Sequence, residues 1–131
     1  MACGSLGVIF QIQGELAEAE RMFDRALKIF EELGLHDGVA ACYVNLGLVH
    51  RRRARVDRAQ KLFEKALTIE REKLGRPEGI VECYDQLADL YTQRGEFYRA
   101  DQLRRERGAM NRDIRRQNAY PFGDLFPTDF E

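Results

Sequence analysis

Tryptophan is absent from this 131-residue chain, proline occurs three times and histidine only twice. So little proline leaves long helices uninterrupted. His36 and His50 stand at no ligand-like spacing from the cysteines, so neither a zinc set nor a Cys/His nucleophile is expected. The three cysteines, Cys3, Cys42 and Cys83, lie about a repeat apart and are odd in number. That pattern argues against a disulfide framework and for a reducing, cytoplasmic compartment, with the thiols acting as small buried side chains. No Ser/His/Asp arrangement and no phosphate-cradling glycine loop can be found. We expect no catalytic residue, no metal and no cofactor.

Charge of one sign is missing as well. One third of the residues are charged, yet the net charge is only −1, which gives no overall pull toward nucleic acid or membrane. The opening stretch Met1–Gly14 carries no charge, but it lacks the basic start of a signal peptide and is too short and interrupted to span a bilayer.

One motif fills most of the chain in three copies. Leu6, Gly7, Phe10, Gly14, Ala19, Phe23 and Ala26 recur forty residues later as Leu46, Gly47, His50, Ala54, Ala59, Phe63 and Ala66. Forty-one residues further on come Leu87, Ala88, Tyr91, Gly95 and Ala100, with Arg104 and Arg107 in the last two places. A fixed period of this size marks a stack of repeats, each burying its apolar face against its neighbours. Within the second copy, Cys42, Tyr43, Leu46, Val49 and His50 mark one face of a first helix. Ala59, Leu62, Phe63, Ala66, Leu67 and Ile69 mark a second helix after a polar break at 53–56. Asp57 and Asp37 are expected to cap helices, and Glu72–Gly79 and Gly34–Gly38 to be connections. Gly47 and Ala88 belong where helices cross, Phe63 fills the space so created, and Gly95 belongs in a turn. His50 takes the place of the aromatics Phe10 and Tyr91 and is read as a packed core histidine.

This pattern resembles the tetratricopeptide repeat in its forty-residue variety. The resemblance implies an all-α, right-handed superhelical array of three helix-turn-helix repeats over residues 1–117, divided at about 1–36, 37–77 and 78–117. A non-helical, aromatic and acidic C-terminal tail, 118–131, follows. Arg104 and Arg107 depart from the usual Phe and Ala, as suits a last helix that meets water.

The resemblance also implies a non-catalytic interaction module that binds a peptide or partner helix in a concave groove lined by the first helices. Carried onto this sequence, the groove comprises Val8, Ile12, Val44, Asn45, Leu48, Arg51, Arg52, Glu82, Asp85, Gln86 and Asp89. It is apolar at repeat one, basic at Arg51–Arg53 and acidic at repeat three, where three carboxylates repel one another unless a cation sits among them. A ligand apolar toward repeat one and basic toward repeat three would match. The alternative is a self-association unit. Leu6, Val8, Ile9 and Phe10 lie on a helix that is apolar on nearly every side, which needs cover, and a homodimer is the commonest way to supply it. The tail, with Tyr120, Phe122, Leu125, Phe126 and Phe130, is expected to dock on the array or to serve as a short motif for a partner. The arginines of the last helix interleave with Asp101, Glu106 and Asp113, favouring a salt-bridged face over nucleic-acid binding.

Overall fold

The computed structural model describes residues 15–119, and among these every regular element is helical. Helix α1 spans Leu16–Leu33, α2 His36–Arg52, α3 Val56–Ile69, α4 Pro77–Gln93 and α5 Phe97–Ala119, with a π-helical turn, Glu70–Leu74, continuing α3. Each helix packs on its successor, so α2–α3 and α4–α5 are the two described helix pairs. Helix α1 is the second helix of the first repeat. Residues 1–14, which hold the expected first helix with Cys3, Val8, Ile12 and the self-association residues, lie outside the described region, as does 120–131.

The repeated small residues let backbones approach. Ala19, Ala26, Ala59, Ala66 and Ala100 are wholly buried. At Gly47 a Cβ would come within 2.5 Å of the Phe63 ring, so the aromatic of α3 lies directly on the glycine of α2. Phe63 belongs to one core with Leu87, Ala88, Leu90 and Tyr91 of α4, while Phe23 joins Leu46 and Val49 in a second. Both cores therefore straddle a boundary between repeats, as nearest-neighbour stacking requires.

The connections are shorter than the sequence pattern indicates. Only Gly34–Leu35 and Gly75–Arg76 separate the helices on either side. Pro77 occupies the first turn of α4, where its fixed φ and missing N–H cost nothing. Neither Asp37 nor Asp57 is a cap residue. Both stand one position inside their helices, and the flanking residues Leu35 and Arg55 make no side-chain cap. Asp57 is held instead by Arg94 Nη1 at 2.8 Å. Asp37 Oδ1 accepts the Gly38 N–H at 3.0 Å.

Turn geometry repeats across the chain with one odd substitution. Gly95 closes α4 at φ +79°, and Glu96 N–H donates to Tyr91 O at 2.8 Å. Ala54 closes α2 in the same manner at φ +61°, with Arg55 N–H donating to His50 O at 2.8 Å. An alanine there is strained by its Cβ. Ala54→Gly should raise stability by about 0.5 kcal/mol, the relief of left-handed strain exceeding the added freedom of the unfolded chain. Gly47→Ala should lower it by about 1–3 kcal/mol through overpacking against Phe63. Urea midpoints of the two variants against the parent chain test both signs.

Candidate functional site

Two first helices, α2 and α4, carry the described part of the expected groove. On α2, Ala41 and Arg52 are exposed, and Val44, Asn45, Leu48 and Arg51 are half-buried. On α4, Glu82 and Asp89 are exposed, and Asp85 and Gln86 half-buried. Arg51 reaches between the helices, its Nη1 donating to Gln86 Oε1 at 3.2 Å. Val44 and Leu48 rest against the core that joins repeats two and three, so part of their surface is used in stacking.

At repeat three the acidic face has its cations built in. Arg107 Nε is paired with Asp85 Oδ1. Arg104 Nη2 lies 3.9 Å from Asp89 Oδ1 and donates to Thr92 Oγ1 at 2.9 Å. The two arginines that break the repeat pattern thus answer two of the three carboxylates that depart from the apolar character of Val44 and Leu48. Sequence reasoning treated these as separate irregularities. Their shared repeat and their matched spacings of three and four residues were the signal that could have joined them.

A second polar cluster lies between repeats one and two. Glu20 of α1 accepts from Arg53 Nη1 at 2.6 Å, with Arg55 Nη1 at 3.6 Å and His50 Nε2 at 3.4 Å. Its counterpart one repeat later has Arg94 Nη1 donating to both Asp57 and Gln60 at 2.8 Å. In each case an arginine at the turn between paired helices reaches back to the second helix of the preceding repeat. His50 is buried, as its core position requires, and its Nδ1 has no hydrogen-bond partner. Burial pushes its pKa below the ordinary imidazole value, aided by Arg55 and Arg58 and opposed by Glu20 and Asp24. Asp24 beside it is pushed up by burial and by Glu20.

Cys42 and Cys83 are buried free thiols, pushed up to about 11 and about 12 chiefly by burial, which leaves them protonated and unreactive. Among the described residues no group of His, Cys, Asp and Glu could hold a metal ion, and no helix is long and apolar enough to cross a membrane.

The model of the tetratricopeptide repeat matches residues 1–72. The chain belongs to the tetratricopeptide repeat family. Its fold agrees with solved structures, a TPR domain among them. BtubC (BKLC) from P. vanneervenii is 26% identical with a TM-score of 0.79, over 86% of this chain and 46% of that one. The TPR domain of Arabidopsis FLU is 22% identical with a TM-score of 0.77, over 86% and 93% of the two chains. A Podosopora anserina putative kinesin light chain with nearly identical TPR-like repeats is 20% identical with a TM-score of 0.72, over 87% and 55%. The chain spans about half the length of BtubC. No curated protein matches the sequence. The architecture is therefore an all-α superhelical tetratricopeptide array, which is a scaffold for protein–protein interaction and typically non-catalytic.

The lowered pKa of His50 predicts a pH dependence of known sign. Above about pH 6.5 the imidazole is neutral in both states, and its burial is not opposed. As pH falls below that value, the unfolded chain takes up a proton that the folded site resists, so stability drops. His50→Tyr, which copies Tyr91, should flatten the dependence of the urea midpoint between pH 7.5 and 5.5. A slope unchanged by the substitution would assign it to other groups.

Proposed function

We propose that this chain is a non-catalytic module that binds a peptide or a partner helix along the face shared by α2 and α4. One observation carries the reading: a face with hydrogen-bonding groups remains after the repeats have packed. Asn45 and Gln86 occupy the same place in successive repeats, directly before the Leu-Gly and Leu-Ala pairs, and both are half-buried on this face. The Asn45 amide offers a peptide backbone both donor and acceptor, and Gln86, whose Oε1 already accepts from Arg51, offers its N–H groups. Val44 and Leu48 beside them supply apolar surface, and exposed Arg52 closes the repeat-two end.

The built-in arginines sharpen what such a ligand brings. Asp85 and Asp89 are already engaged by Arg107 and Arg104, so they add little net attraction for a basic residue. Glu82, exposed and engaged by neither arginine, is the carboxylate of this stripe left to meet a Lys or Arg of the ligand. The ligand's apolar residues lie toward Val44 and Leu48.

Peptides selected from a display library on the full chain provide the test, with affinities measured by calorimetry. Asn45→Ala with Gln86→Ala should weaken a selected peptide by at least tenfold. Exchanging the Asp85–Arg107 pair, as Asp85→Arg with Arg107→Asp, should leave affinity within about twofold because the pair is internally compensated. Equal binding by the parent and the double-alanine chain would remove this face from the account.

A further inference from the structure

The second helices of the first two repeats carry a stripe that the next repeat covers. In α1 it is Leu16, Glu20, Phe23, Leu27 and Phe30, and in α3 it is Val56, Gln60, Phe63, Leu67 and Glu70. Phe23 and Phe63 are wholly buried in the two cores, with Leu16, Leu27, Val56 and Leu67 packed around them. The equivalent stripe of α5 is Phe97, Asp101, Arg104, Gly108 and Asn111. Nothing among the described residues follows α5 to cover it. Phe97 is 62% exposed where its counterparts Leu16 and Val56 are packed. Gly108 replaces the bulk of Leu67, and a Cβ there would meet only the Arg112 guanidinium, at 3.7 Å.

This surface does not suit another first helix of the ordinary kind. An arginine stands where the central phenylalanine belongs, and a hollow lies where a leucine belongs. It suits instead a segment that brings aromatic bulk to the hollow and carboxylates to the arginines. Residues 120–131 have that composition. They contain Tyr120, Phe122, Leu125, Phe126 and Phe130, with Asp124, Asp129 and Glu131 between them and no lysine or arginine. Helix α5 offers the opposite charge, seven arginines against three acids, and Arg105, Arg112, Arg115 and Arg116 are exposed along it.

Reach permits the match. Tyr120-Pro121-Phe122-Gly123 has proline and glycine placed as in a chain-reversing turn. The eight residues after it extend to about 26 Å, the length of about seventeen helical residues. Counted back from Ala119, that distance passes Gly108 and arrives near Arg104.

We propose that residues 120–131 fold back on α5 and cover the Arg104–Gly108 face. Aromatic side chains fill the space over Gly108, and the acids pair with the arginines of α5. The inference does not depend on the groove reading: Arg104 also reaches Asp89, but Gly108 and the exposed Arg105, Arg112, Arg115 and Arg116 belong to α5 and are no part of the groove on α2 and α4.

Hydrogen exchange of the full chain tests it, followed peptide by peptide. Replacing Phe122, Leu125, Phe126 and Phe130 by Ser should speed exchange of residues 100–112 at least tenfold, leave α1–α3 unchanged and preserve helical circular dichroism. Asp124→Lys with Asp129→Lys, which keeps the aromatics, should give a smaller acceleration in the same residues. Unchanged exchange of α5 in both variants would overturn the proposal. So would protection of α5 that grows with protein concentration in the parent chain, because a second copy would then be the cover.

Discussion

Coverage of one stripe per repeat governs this structure. The second helix of each of the first two units presents an aromatic flanked by alanines, and the first helix of the following unit excludes water from it. Phe23 and Phe63 are wholly buried for this reason, and each belongs to a core shared by two repeats. The small residues serve the same end. Gly47 admits the Phe63 ring, so α2 and α3 present a single surface to α4. Stability in such an array passes from neighbour to neighbour rather than residing in a central core. The Arg53–Glu20 and Arg94–Asp57 contacts cross the same boundaries on the polar side.

The apolar architecture was legible because it is periodic. Leucine, glycine, alanine and phenylalanine recur at fixed offsets, and burial follows from the offset alone at Leu46, Ala59, Phe63 and Leu87. Polar detail was not legible in the same way. Asp37 and Asp57 have the chemistry of caps, yet each helix begins two residues earlier than a cap there would place it, which leaves the acid in the first turn, where its charge suits the helix dipole. The partners of Asp85 and Asp89 come from a different helix, so no local pattern reveals them. Arg51 and Gln86 are separated by 35 residues and meet only through stacking.

Positions 104 and 107 show how one substitution acquires two meanings. Measured against the repeat, an arginine for a phenylalanine is a loss of core. Measured against α4, it neutralises carboxylates that would otherwise repel. A partly exposed pair of this kind adds only about 0–1 kcal/mol, so its effect lies more in which surfaces remain charged than in stability. The groove and the last stripe therefore share one electrostatic arrangement, with Arg104 and Arg107 of α5 turned toward Asp89 and Asp85 of α4.

The π turn at Glu70–Leu74 has a consequence of another sort. The first and second copies are forty residues apart, the second and third forty-one. From Leu16 to Leu33 is one residue fewer than from Val56 to Leu74. An added residue in an α-helix rotates everything after it by about 100°, which would turn the next unit out of register. Here the widened turn, closed by Gly75 N–H on Glu70 O at 2.6 Å, absorbs it. Glu70 still arrives over Gly79, as Phe30 arrives over Gly38, and its carboxylate takes Arg76 where the first repeat has Leu35. Units that differ by one residue in length thus meet their successors in the same register.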